Sequence, residues 1–210
     1  MHSGFEKKLK VITENAKEIN TRTIELFIQS IIDFSQAKLV IDSSKDKQYL
    51  GKTKSIEAFN TKYVFIQRNV RGIIYSRKKD RVMRISEKRH PSPTLGKFHL
   101  LLSIKDFIEW KRYNRFILNF KKNNSKKSLF IAYEDFITEP ANYIRQIENL
   151  TGFTINAEFP TLNEVVLQQG HAGISNRNRS IHGLVKIEED LRWKKGLNNF
   201  EKGFLNIFGK

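Results

Sequence analysis

Residues 62–78 read KYVFIQRNVRGIIYSRK. An apolar run stops at Arg68, Asn69 follows, and a second apolar pattern carries Arg71, Ser76, Arg77 and Lys78. The run "KYVFIQ" predicts a buried strand. Asn69 predicts the cap of a helix reaching about residue 80. An arginine at a strand end beside a helix N-terminus combines a forked cation with free backbone N–H groups and the positive end of a dipole. That is the chemistry of a phosphate seat. Ser76 falls two turns on, near the face of Asn69, where its hydroxyl could close on the same anion. A second reading stays open: Arg68 salt-bridged to Glu134 or Asp135 at a neighbouring strand end, with Ser76 idle.

Outward from this element, short apolar runs alternate with helical patterns. Phe5, Leu9, Ile12, Ala16 and Ile19 recur at helical spacing, and Ile24, Phe27, Ile28 and Ile31 form a second stripe. The run "AKLVIDSSK" predicts a buried strand ending in a polar loop at residues 42–45, and residues 46–60 a helix. Residues 80–96 are basic, contain Pro91 and Pro93, and read as a loop. Leu101, Ile104, Phe107, Ile108, Ile117 and Phe120 mark a long helix. "SLFIAY" is a further strand, and Thr138 and Pro140 open a helix that Gly152 ends. "HAGISNRNRSIHG" reads as a polar loop and "IEEDLRWKKGL" as a short amphipathic helix. The alternation predicts an α/β fold, a parallel sheet flanked by helices, in one domain over 1–210: a helical segment 1–36 and a core 37–210. Ligands of such sheets sit beyond the carboxyl ends of the strands. That rule gives residues 42–45, Arg68-Asn69 and Tyr133-Glu134-Asp135 one shared address.

Composition narrows the partner. The chain has 210 residues, 16 of them Phe, a net charge of +16 and no cysteine. Disulfides and thiolate chemistry are excluded, and the positive balance predicts an anionic partner or a plain Lys-rich surface. No apolar run approaches the roughly 18 residues of a membrane span. The N-terminus has no signal-peptide core, so a cytoplasmic protein is expected. The five histidines show no metal-ligand spacing, and no metal is expected. GxxxxGK[ST], GxGxxG and GxSxG are all absent from the sequence. No nucleic-acid module is recognisable either. In "IAYEDF" the carboxylates could cap a turn, while Tyr133 either packs in the core or faces a flat ligand. In "HAGISNRNRS", His171, Asn176, Arg177, Asn178 and Arg179 could fold over an anion or simply stay solvated.

Together these motifs resemble the sulfotransferases that use 3′-phosphoadenosine 5′-phosphosulfate (PAPS). "RNVRGIIYS" is similar to the family's Arg-Asp/Asn-Pro-Arg…Ser element, with Val70 in place of proline. "AYEDFITEP" is similar to its Tyr-Glu-Asp-Leu…Pro segment. "HAGISNRNR" is similar to its late His…Gly-Asn-x-x-Arg loop, with Ser175 in place of glycine, and "LRWKKGL" to its closing Trp helix through Trp193. The resemblance spans about residues 38–197. It implies a P-loop-like sulfotransferase fold, with Arg68, Ser76 and Arg179 on the nucleotide's 3′-phosphate, Tyr133 near the adenine, and Asn176 in the same loop. It also implies sulfuryl transfer from PAPS to a hydroxyl acceptor, a carbohydrate among the candidates. Members begin with a strand and a loop, roughly Pro-Lys-x-Gly-Thr or Arg-Ser-Gly-Thr, that grips the 5′-phosphosulfate. Ahead of "VIDSSK" this chain offers amphipathic helical sequence, so an N-terminally shortened member or a fragment is expected, its first strand and that loop missing. Half of the donor's electrostatic clamp would then be absent. The exposed strand edge would call for a partner or a second copy to cover it. An inactive homologue that only binds adenosine 3′,5′-bisphosphate is the alternative, and a basic polyanion binder a third. The catalytic base is unassigned; the loop Asp42–Lys45 is the place to look, and Ser44 and Lys45 could reach the reacting group.

Overall fold

The computed structural model describes residues 20–43, 47–86, 99–167 and 182–208. The chain divides into two compact units, Met1–Thr61 and Lys62–Lys210, each described by itself.

In the first unit, α1 (Thr21–Ser35) and α2 (Lys47–Thr53) are helical. Asn20 caps α1, its Oδ1 accepting from the Thr23 N–H at 2.9 Å. The predicted strand of "AKLVIDSSK" does not form: its described residues, 37–43, are irregular. A strand needs a ladder partner for its backbone, and this unit has none among its described residues. Ile41 accordingly stands 83% exposed. The single predicted helix over 46–60 shrinks to α2.

The second unit opens with β1 (Tyr63–Gln67), and α3 (Val70–Ser86) follows. The helix outruns its expected end near residue 80, because Arg77 and Arg81 are held by Asp106 on the next helix. α4 (His99–Asn123) leads through a 3₁₀ turn into β2 (Ser128–Ala132). β1 and β2 pair in parallel, with Phe65 opposite Phe130 and Gln67 opposite Ala132. One face of the pair is sealed by α4: Phe120 meets Tyr63 and Phe65 edge-on at 4.8 and 5.4 Å between centroids. On the other face Ile131 is buried, but Ile66 is 56% exposed, so β1 is covered on one side and not the two expected of a parallel strand.

Next come α5 (Tyr133–Thr138) and α6 (Pro140–Thr151), with Pro140 at the helix start. Gly152 ends α6 with φ 76°, a left-handed conformation that glycine adopts at no steric cost. Beyond it lies a second sheet that the weak periodicity did not announce: β3 (Glu158–Thr161), β4 (Glu164–Leu167) and β5 (Gly183–Lys186), antiparallel. The unit closes with α7 (Trp193–Gly196) and α8 (Asn199–Phe208). The expected helix over "IEEDLRWKKGL" is therefore confined to its last third, and α8 is new. The core gathers Val70 and Ile74 of α3, Phe107 of α4, Leu197 and Leu205, with Trp110 and Trp193 against it. The described parallel sheet has two strands, set among helices.

Candidate site at the ends of the parallel strands

The in-register pairing decides which residues meet. Gln67 lies opposite Ala132, so the chain leaves both strands at the same level. Arg68-Asn69 therefore emerges beside Tyr133-Glu134, two of the three segments expected at one address; the strand expected to carry residues 42–45 there does not form. Asn69 caps α3: its Oδ1 accepts from the Arg71 N–H at 2.9 Å, the geometry of an Asx cap. Its own N–H donates to Glu134 Oε1 at 3.0 Å, which ties the two strand ends together. Glu134 is thus taken by backbone and not by Arg68.

Arg68 is fixed by three contacts. Its guanidinium lies over the Tyr133 ring, 4.8 Å from the centroid. Its side chain crosses α3 at Gly72, where a Cβ would stand 2.6 Å from Arg68 Nε. Only glycine leaves that passage open. Its Nη2 pairs with Asp190 Oδ2 at 3.1 Å and donates to the Asp190 carbonyl at 3.3 Å. The salt bridge open at the sequence level is thus real in kind, but its acid is Asp190 and not Glu134 or Asp135.

Asp190 has a second holder. Arg192 Nε and Nη2 grip its two carboxylate oxygens at 2.7 Å each, and the Arg192 N–H adds a contact at 3.2 Å. The Arg192 guanidinium first, and Arg68 after it, hold the Asp190 carboxyl well below the usual carboxylate range against the opposing pull of burial. This local turn also explains why "IEEDLRW" is not helical throughout: the aspartate bonds two residues ahead, which competes with a helical turn.

Around this centre, Arg71 lies over the Trp193 ring at 5.6 Å and donates to Asn206 Oδ1. Trp193 thus packs beside the cationic junction. Gly196 admits the Tyr75 ring, for a Cβ there would fall 1.9 Å from Tyr75 Cε2. Ser76 is exposed, one turn beyond Gly72 along α3. Of the predicted site residues, Arg68 and Tyr133 are in contact, and Ser76 lies on α3, the helix that follows Arg68. Asn176 and Arg179, with His171, Ser175, Ser44 and Lys45, lie outside the described residues. Asp42 is described, in the first unit. Burial first, and then the hydrogen bond and charge of Asp42, push the Tyr49 hydroxyl far above its ordinary value.

Asp190 and Arg192 escaped the reading of the sequence. Asp190 is 122 residues from Arg68, and no local pattern announces such a contact. Among the described residues no group of His, Asp and Glu could hold a metal, and no helix is long and apolar enough to cross a membrane. Comparison with protein-family models, with curated proteins and with solved structures returns no match.

Proposed function

We propose that the junction of β1 and α3 binds the 3′-phosphate of an adenosine nucleotide, and that the protein is a PAPS-dependent sulfotransferase. In that reaction an acceptor hydroxyl attacks sulfur and loses its proton. The bond from sulfur to the bridging phosphate oxygen breaks, and adenosine 3′,5′-bisphosphate leaves. The observation that carries the reading is the setting of Arg68. It stands at the carboxyl end of a parallel strand, beside a capped helix start, with Tyr133 under its guanidinium. A flat aromatic next to a phosphate ligand suits a nucleotide, whose base can lie near the ring while its phosphate takes the cation. Ser76, on the exposed side of α3, would add a hydroxyl donor, and Asn176 and Arg179 would complete the grip.

Calorimetry with adenosine 3′,5′-bisphosphate tests the binding half. Loss of a charged hydrogen bond of about 1.5–3 kcal/mol predicts that Arg68→Ala weakens binding roughly 10- to 150-fold. Equal affinity of wild type and variant would remove the basis of the site. Incubation with sulfur-labelled PAPS and a panel of hydroxyl acceptors tests the transfer half. Binding without transfer to any acceptor would leave a nucleotide-binding protein in place of an enzyme.

A further inference from the structure

We infer that Asp190 is an internal stand-in for the ligand's phosphate, and that anions reach Arg68 by an exchange in which Asp190 passes wholly to Arg192. This rests on Arg68 being the anion seat.

Three observations carry it. First, the seat is taken: Asp190 Oδ2 stands 3.1 Å from Arg68 Nη2, the position an incoming oxyanion needs. Second, Asp190 has somewhere to go. Arg192 holds both carboxylate oxygens through its Nε–Nη2 fork at 2.7 Å, and its side chain is 63% exposed. Letting go of Arg68 therefore strands no charge: the aspartate keeps a bidentate partner, at the rim and in contact with water. Third, the seat survives the departure. Arg68 stays aimed by the Tyr133 ring and by the channel over Gly72, neither of which involves Asp190. The acid sits in the irregular stretch between β5 and α7, so the exchange displaces no helix or strand. Arg192 is thereby a positioning residue. It sets how readily the seat opens and need not touch the ligand.

The two residues then act with opposite signs. Asp190→Asn removes the competitor and should tighten binding of adenosine 3′,5′-bisphosphate about two- to fivefold, the range of a partly exposed ion pair. Arg192→Lys keeps the charge but loses the fork, so Asp190 leans harder on Arg68 and binding should weaken about two- to threefold. A general field effect would leave the lysine variant unchanged. The double variant Asp190→Asn/Arg192→Lys should bind as Asp190→Asn alone, because Arg192 acts only through the aspartate.

Calorimetric titration of the full chain with the bisphosphate, for wild type, these variants and Arg68→Ala, reads all of this. Asparagine is isosteric with aspartate, and a thermal melt of each variant checks that it folds. Tighter binding by Asp190→Asn, with the lysine effect vanishing in its background, is the expected result. Unchanged or weaker binding by Asp190→Asn, while Arg68→Ala still loses affinity, overturns the exchange and leaves the seat intact. Binding that ignores Arg68→Ala in every background removes the seat, and the exchange with it.

Discussion

Two ion pairs leave neighbouring stretches of the chain and reach acids of the C-terminal region across almost the same sequence distance. Arg68 meets Asp190 across 122 residues, and Lys78 meets Glu201 across 123. Their surroundings differ. Glu201 is 1% exposed and every contact it makes is internal: Lys78 at 2.8 Å, Ser103 Oγ at 2.9 Å, and the Asn198 N–H at 2.9 Å. It cross-braces α3, α4 and α8. Asp190 is 19% exposed, and its tightest partner is the solvent-facing Arg192. The same chemistry makes a brace where no water can replace a lost partner. It makes an exchangeable contact where a second partner waits at the surface.

The largest effect should follow from breaking the brace. Lys78→Met leaves Glu201 buried without a counter-ion, and urea unfolding should show a loss of about 3–5 kcal/mol. Arg68→Ala, by contrast, should cost stability no more than about 1 kcal/mol while it cuts ligand affinity. Comparable stability losses in the two variants would erase the distinction. Acid sharpens it. Burial pushes the Glu201 carboxyl up, but Lys78, the Asn198 N–H and Ser103 together carry it below its ordinary 4.5. Asp190 is likewise lowered from 3.8. A lowered carboxyl stabilises the fold above its unfolded pKa, and that contribution fades as pH falls through the folded one. Wild type should therefore lose stability below about pH 4. In Lys78→Met the cation is gone, and burial, the largest single influence on Glu201, is opposed only by the Asn198 N–H and Ser103, so its carboxyl rises relative to wild type. Its deficit against wild type should shrink between pH 7 and pH 4, measured as the urea midpoint.

A second break lies between the two pairs. Gly196 gives its carbonyl to Lys78 Nζ at 3.4 Å, and its missing Cβ admits the Tyr75 ring. Gly196→Ala places a methyl inside that ring's envelope and must push α7 from α3. Overpacking of this kind predicts a loss of about 1–3 kcal/mol by thermal or urea melt. Because α7 follows Asp190 directly, the variant should also disturb Arg192. Unaltered stability would mean that Tyr75 can turn aside.

How far these features were legible depends on the reach of the signal that encodes them. The strand "YVFIQ", the cap at Asn69, the Pro140 start and the Gly152 stop are written in adjacent residues, and the structure has all four. The strand expected near Leu39 failed because a β-branched run says nothing about whether a partner strand exists. Helix α8 did carry a local sign. Asn198 and Glu201 form a reciprocal capping box, with the Glu201 N–H donating to Asn198 Oδ1 at 2.8 Å and the Asn198 N–H returning to the glutamate. That N-x-x-E spacing precedes the apolar residues Phe204 and Leu205. In the candidate site, Arg68 and Tyr133 were legible because parallel strands bring their ends together. Asp190 was not, since its pairing is set by tertiary packing.

The smallest stability effect belongs to Gly72, where binding should fall while stability barely moves. Alanine is favoured over glycine inside a helix by about 1 kcal/mol, but the displaced Arg68 gives up contacts of about the same worth, so Gly72→Ala should leave the unfolding midpoint nearly unchanged. Its methyl would stand 2.6 Å from Arg68 Nε and 2.9 Å from Cζ, at the far end of a flexible side chain that can yield. The guanidinium must then leave its channel and its place over Tyr133. Affinity for adenosine 3′,5′-bisphosphate should fall toward that of Arg68→Ala even though the arginine and its charge remain. A Gly72→Ala protein that folds as stably as wild type and binds as well would show that the position of Arg68 is immaterial, leaving only its charge. An equally stable protein that binds poorly would show the glycine to be kept for the arginine's path across α3.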